Sequence, residues 1–161
     1  MRVAVLSDTH LKAGKSLPAF VWDNLTDIDL ILHAGDIVNM NLLSDLACIA
    51  TVRAVSGNCD GWGVSLPKRD IVECEDCRIG LVHGNAGWIR NAPETAYNVF
   101  KDAGVQAIVF GHSHAPHLEW RNGILLFNPG SPTNKRRAPY YSFGLMEING
   151  SRIEARHLFF E

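Results

Sequence analysis

With 161 residues, 47% of them hydrophobic and 20% charged, the chain can bury one sizeable core, is short for two ordinary domains, and does not have the composition of a disordered polymer. Its formal net charge of -2 comes from interleaved signs. The one basic cluster, Lys135-Arg136-Arg137, is too small a footprint to indicate a nucleic-acid polymer as partner.

Residues 2–6 are a continuous apolar run ended by Ser7-Asp8, which suits a short strand covered on both faces. The run is too short for the core of a signal peptide, and no later stretch approaches a membrane span, so a cytoplasmic location without a membrane partner is expected. Residues 17–25 read as a helix, with Ser16 as its N-cap and Pro18 in its first turn. Residues 29–33 are a second strand and 51–55 a third. Between them, Leu42, Leu43, Leu46 and Ile49 fall at helical spacing, which predicts a helix over 41–49. This βαβαβ order predicts a parallel sheet with right-handed crossovers.

The second half changes character. Two strand-like runs, 69–73 and 78–82, flank Cys74-Glu75-Asp76-Cys77. That CxxC reads as an ordinary hairpin turn, because a redox motif opens a helix and a zinc site wants a second close pair, whereas Cys48 and Cys59 lie far apart. A helix over about 93–103 leads into a strand at 106–110, followed by strands at 118–121, 124–127 and 142–148. The last strand, 153–160, is joined to its predecessor by Asn149-Gly150, a hairpin signal. The sum is an α/β chain with a mixed sheet, or two packed sheets, and helices outside. No internal repeat or linker divides it, so one domain over 1–161 is expected. The loops at 60–68 and 132–140 are the least regular parts and are placed to form a pocket rim or a contact between two copies of the chain.

The polar residues sit where the apolar runs end. Asp8 and His10 follow the first strand, Asp36 the second and Asn58 the third, all beyond the carboxyl ends of parallel strands, the edge at which open α/β sheets bind ligands. His83 follows the next long run, and Gly111-His112-Ser113-His114 follows residues 107–110. Each motif alone is weak, since a capping Asp explains a DxH or a GD. Their recurrence on successive strands is not so explained, and Asp, His and Asn together offer oxygen and imidazole donors for divalent ions of intermediate hardness.

The ordered series DxH, GD, GN, HG and GHxH, followed by Asn128-Pro129-Gly130-Ser131, resembles the calcineurin-like metallophosphoesterase superfamily, in particular its small single-domain phosphodiesterase branch. The resemblance implies the four-layer αββα fold, two packed mixed β-sheets flanked by helices. It implies two divalent ions, Mn foremost, with Fe, Zn, Ni or Co also compatible with thiolate-free ligands. Asp8, His10 and His114 would bind one ion, Asn58, His83 and His112 the other, and Asp36 would bridge them. Asp36, Asn58 and His83 are thereby placed in catalytic roles, and the implied reaction is in-line hydrolysis of a small phosphodiester by a hydroxide held between the ions.

Three positions depart from the wider superfamily. Cys59 stands where many members carry a His after the GN asparagine, which leaves the general acid unassigned. Asn85 replaces a His after Gly84, and Asn39 replaces a second acid of the GD motif. Cys59, His33 and Asn85 are candidates for supporting the ligands or touching substrate. His117 is expected at the surface, and His157 carries no functional mark. Two other functions fit the same motifs: a phosphomonoesterase or nucleotide pyrophosphatase, and a non-catalytic interaction protein of the kind a retromer subunit makes of this fold.

Overall fold

The computed structural model describes residues 1–61, 65–85 and 91–161. Two five-stranded mixed sheets pack face to face. The first has the order β10-β9-β1-β2-β3 and is built from β1 (Arg2–Leu6), β2 (Leu30–His33), β3 (Thr51–Ala54), β9 (Tyr141–Asn149) and β10 (Arg152–Phe160). Strands β1, β2 and β3 run parallel, as the βαβαβ pattern requires, while β9 returns from the far end of the chain to pair antiparallel with β1. The second sheet has the order β4-β5-β6-β8-β7, with β4 (Arg69–Cys74), β5 (Cys77–Val82), β6 (Ala107–Val109), β7 (His117–Arg121) and β8 (Ile124–Asn128). Its three central strands are parallel.

Alternation along the strands divides the apolar residues into three layers. Val3, Val5 and Leu32 from the first sheet meet Leu81, Val109 and Phe127 from the second in the shared core. Ala4, Leu6 and Ile31 point the other way, toward Val21 of α1 (Ala19–Asp23) and Leu46 of α2 (Asn41–Ala47). Ile108, Phe110 and Leu126 cover the opposite face with Ala96 and Phe100 of α3 (Ala92–Phe100). The layers therefore run helix, sheet, sheet, helix.

Several expected boundaries shift. The first helix has five residues instead of nine: Pro18 occupies its N-cap without a side-chain bond, and Ser16 instead accepts a hydrogen bond from the Trp22 indole. Helix α2 stops at Ala47, which leaves Ile49 exposed. Helix α3 starts with Asn91 as N-cap, its side chain accepting from the Glu94 amide, and Pro93 sits in the first turn, where a missing N–H costs nothing. The Cys74-Cys77 hairpin is as expected: Cys74 pairs with Cys77 across the turn, and both thiols are free. In the β9–β10 hairpin Asn149 pairs with Arg152, so the two-residue turn is Gly150-Ser151, one residue later than expected.

Candidate metal centre

The polar loops converge at one edge because the loops within each sheet are knitted together. The Asp8 and His10 amides donate to the Gly35 and Asp36 carbonyls, tying the loop after β1 to the loop after β2. In the second sheet the Gly111 amide donates to the His83 carbonyl. Between sheets, the His112 amide donates to Asp8 Oδ2 at 2.9 Å. The fold thus delivers side chains from both sheets to a single cleft edge.

All seven residues of the expected ligand set meet there. His10 Nε2 lies 3.1 Å from His114 Nε2 and 3.5 Å from Asp36 Oδ2. Asp8 Oδ1 lies 3.3 Å from His114 Nε2 and 4.0 Å from His83 Nε2, and His83 Nε2 is 3.3 Å from Asp36 Oδ2. On the other flank His112 Nδ1 lies 3.1 Å from Asn58 Oδ1, with the His112 ring 5.3 Å from that of His83. Asp36 stands between the two flanks.

The donor set fits a cation. His83 Nδ1 is 2.7 Å from the Ala34 carbonyl, to which only an N–H can donate, so Nε2 carries the lone pair. This Nε2 is buried without a hydrogen-bond partner and faces two carboxylates. His114 Nδ1 likewise donates to the Asn134 carbonyl, leaving its Nε2 bare toward His10 and Asp8. Bare nitrogens facing carboxylate oxygens repel unless a cation lies between them. Donor atoms of Asp8, His10 and His114, of His10, Asp36 and Cys59, and of Asp8, Asp36 and His83 each fall within 4.8 Å of one another.

The acid–base balance of the metal-free cluster follows the same tension. Burial pushes the Asp8 carboxyl up to about 6 despite the His83 charge and the Ser7 hydrogen bond. Burial also raises Asp36, but the electrostatic pull of the neighbouring His83 and the Cys59 amide outweigh it and hold Asp36 well below the usual carboxylate range. For His83 burial favours the neutral ring, yet Asp36 and Asp8 win and raise its pKa.

Backbone conformation marks the same residues. Asp8, His10, Asp36, His112 and His114 all have positive φ, between 42° and 70°. Non-glycine residues in this region cost of order 1–3 kcal/mol where the surroundings must hold them. Asp and His tolerate it better than most residues.

Those surroundings include groups that the motif pattern did not single out. Asp60 is the chief one. Its Oδ2 accepts the amides of Asp36 and Gly57, and its Oδ1 those of Ile37 and Val38, at 2.7–3.0 Å. One carboxylate thereby clamps the Asp36 loop onto the Asn58 loop. The one signal for it in the sequence is an acid two residues after Asn58. Asp60→Ala is expected to destabilise the fold by about 3 kcal/mol and to weaken metal binding ~10–100-fold, read by thermal melting and metal titration. Asp60→Asn should fall between, since its amide nitrogen would face two N–H donors.

His33 is fully buried, and its hydrogen bonds among the described residues go to no candidate ligand side chain. Its Nδ1 accepts from the Gly35 amide, so Nε2 donates to Thr9 Oγ1, bracing the residues beside Asp36 and His10. Asn128 and Ser131 are likewise braces: Asn128 Nδ2 donates to the Gly111 carbonyl, and Ser131 Oγ to the Asp8 carbonyl. His157, unmarked in the sequence, lies across the sheet interface with Nε2 2.7 Å from the Asn128 carbonyl. His117 pairs with Glu119 away from the cluster. Cys59 lies beside Asp36, and burial with the Asp36 carboxylate pushes its thiol up to about 11. Asn85 is exposed after Gly84, and Asn39 Oδ1 accepts the Asn41 amide at the start of α2. Of the expected pocket rim at 60–68, residues 62–64 lie outside the described residues.

Burial holds His33 at about 3 and His114 at about 4. Both release protons on folding, so between pH 6.5 and these values the unfolded chain binds more protons and stability falls as pH falls. Asp8, raised on folding, works in the opposite direction below pH 6. From pH 7 to pH 5 each histidine removes about 2 kcal/mol and Asp8 returns about 1. These three groups together should leave the metal-stripped protein less stable at pH 5 than at pH 7 by ~2–3 kcal/mol, measured by denaturant unfolding at both pH values.

Two packed mixed sheets with an Asp/His cluster at their common edge define a metallophosphoesterase-type protein. The sequence matches the calcineurin-like phosphoesterase superfamily domain over residues 1–151, and the chain belongs to that family. It is 39% identical over 157 residues to a probable metallophosphoesterase of Methanocaldococcus jannaschii, covering 97% of this chain and 80% of that one. A phosphodiesterase of the same organism is 24% identical over 144 residues, 81% of this chain and 83% of the other. Among solved structures, Vps29 of Entamoeba histolytica complexed with Zn2+ superimposes with a TM-score of 0.80 at 23% identity, covering 100% of both chains. That last likeness concerns the fold.

Proposed function

We propose that the protein is a metal-dependent phosphodiesterase with a dinuclear centre. Asp8, His10 and His114 would hold one divalent ion and Asn58, His83 and His112 a second, with Asp36 shared; manganese suits these oxygen and nitrogen donors. Such ions supply Lewis-acid polarisation of a phosphoryl oxygen and a water activated at neutral pH. The observation that carries the reading is the bare, buried Nε2 of His83 aimed at two carboxylates.

The chain's own groups do the rest. The Ala34 and Asn134 carbonyls fix the tautomers of His83 and His114, so both present Nε2 without rotation. Asp60 holds the Asp36 backbone amide, and the Cys59 N–H donates to the Asp36 carboxylate. The Asn58 amide nitrogen, which donates to Cys59 Sγ at 3.2 Å, would donate to a phosphoryl oxygen while its Oδ1 holds metal. No imidazole stands at position 59, so diesters with good leaving groups are favoured over those that need protonation.

Stripped of metal and reconstituted with Mn2+, the protein should hydrolyse bis(p-nitrophenyl) phosphate faster than p-nitrophenyl phosphate and be inactive in chelator. Faster monoester turnover would make it a phosphomonoesterase. A fully loaded but inert protein would leave a non-catalytic binding role.

A further inference from the structure

The basic run Lys135-Arg136-Arg137 lies in the loop that braces the cluster, and its members face different ways. Lys135 is turned aside: its Nζ donates to the Pro139 carbonyl and lies 5.1 Å from the centre of the Tyr141 ring. Arg136 is turned toward the site. Its Nη1 donates to the His112 carbonyl at 3.3 Å, and its charge is felt at His10, His112, His114 and Cys59, on both flanks of Asp36.

Arg136 is also unspent. Arg53, Arg121, Arg152 and Arg156 each pair with a carboxylate, whereas Arg136, like Arg2, Arg69, Arg78 and Arg137, has none among the described residues, and of these Arg136 is the one bonded to a ligand residue's backbone. One long bond to a carbonyl uses one of five guanidinium N–H donors. The residue is exposed yet held with φ at +47°. Its loop is anchored to the cluster twice: Ser131 Oγ accepts the Thr133 and Asn134 amides while donating to the Asp8 carbonyl, and the Asn134 carbonyl accepts from His114. A cation so fixed and left without a counter-ion at the rim of a metal cluster is arranged for an anion from solution.

We propose that Arg136 forms an anion subsite that binds the non-bridging oxygens of a substrate's phosphoryl group as it rests on the metal centre. The proposal deepens the phosphodiesterase reading and rests on it for the choice of a phosphoryl anion. Arg136 adds positive charge on the side where the family's imidazole is missing, stabilising charge on the phosphate but offering no proton to the leaving group.

The test is calorimetric titration of inorganic phosphate into Mn2+-loaded protein, with metal content and melting temperature measured for every variant. Arg136→Ala should weaken phosphate binding at least tenfold, Arg136→Lys should recover part of it, and Arg136→Glu should abolish it, all with wild-type metal content. Unchanged phosphate affinity in Arg136→Ala, or no phosphate binding by the loaded wild type, would overturn the proposal. So would loss of metal in Arg136→Ala, which would assign the residue to holding His112. The two readings fail separately. Arg136-dependent phosphate binding in a protein inert toward diesters removes the phosphodiesterase and keeps the subsite; an active wild type with Arg136→Ala equal in KM, kcat and phosphate affinity does the reverse.

Discussion

Asp36→Ala should lower turnover of an activated aryl phosphodiester ~10³-fold or more, a loss of at least about 4 kcal/mol of transition-state stabilisation. Asp36 is the described carboxylate that comes nearest to both flanks: Oδ2 lies 3.5 Å from His10 Nε2 and 3.3 Å from His83 Nε2, while Oδ1 accepts the Cys59 amide at 2.7 Å. Its removal takes away the shared donor and the charge that separates two cations. Alanine at φ +56° also carries strain that Asp tolerates. Asp36→Asn is the sharper variant, because it keeps the shape, the left-handed preference and an acceptor for Cys59. It should fold, bind fewer ions by metal analysis, and be nearly as inactive. Wild-type turnover in Asp36→Asn would remove Asp36 from the metal centre.

Gly57→Ala should cost ~10²-fold or more in activity through a residue that bears no side chain. A Cβ at Gly57 would collide with Asp36 Oδ1 and stand 2.5 Å from the Asp36 backbone nitrogen. The nitrogen cannot retreat, since Asp60 pins it, so the carboxylate or the whole loop must shift. Overpacking of this kind costs about 1–3 kcal/mol of stability, and displacement of a ligand by an ångström is enough to lose the centre. Gly61→Ala is the control: no described residue lies within 4 Å of its Cβ, so it should match wild type in melting temperature and activity. Equal effects at both positions would point to general loop disturbance.

Much of this was legible in the chain because strand ends are marked by sharp changes from apolar to polar residues. Residues 2–6 and 78–82 announce buried strands, and the polar residues that follow them are the ones that meet. The division into two packed sheets was legible through the family resemblance, whereas periodicity alone left it open beside one mixed sheet, since the pairing of β1 with β9 joins residues about 140 apart and no local pattern encodes it. The first helix was overread because the span from Leu17 to Leu25 is apolar enough for a helix but is committed to covering the sheet as turns. Braces were the least visible. Asp60 and Arg136 act through backbone amides and a backbone carbonyl, whose positions exist only once the loops have closed.

The ligand loops come from different halves of the architecture: Asp8, His10, Asp36 and Asn58 follow strands of the first sheet, and His83, His112 and His114 strands of the second. Ions held by both sets would act as a clasp across the sandwich. Separation of the two sheets would then require surrender of the metal, and the rate of metal release into excess chelator would report how often the sandwich opens at that edge. By mass action, free metal at a hundred times its Kd would add about 2.7 kcal/mol against such opening. Amide exchange in the parallel centre of both sheets would slow together on loading, coupling halves of the molecule that share no backbone hydrogen-bond ladder.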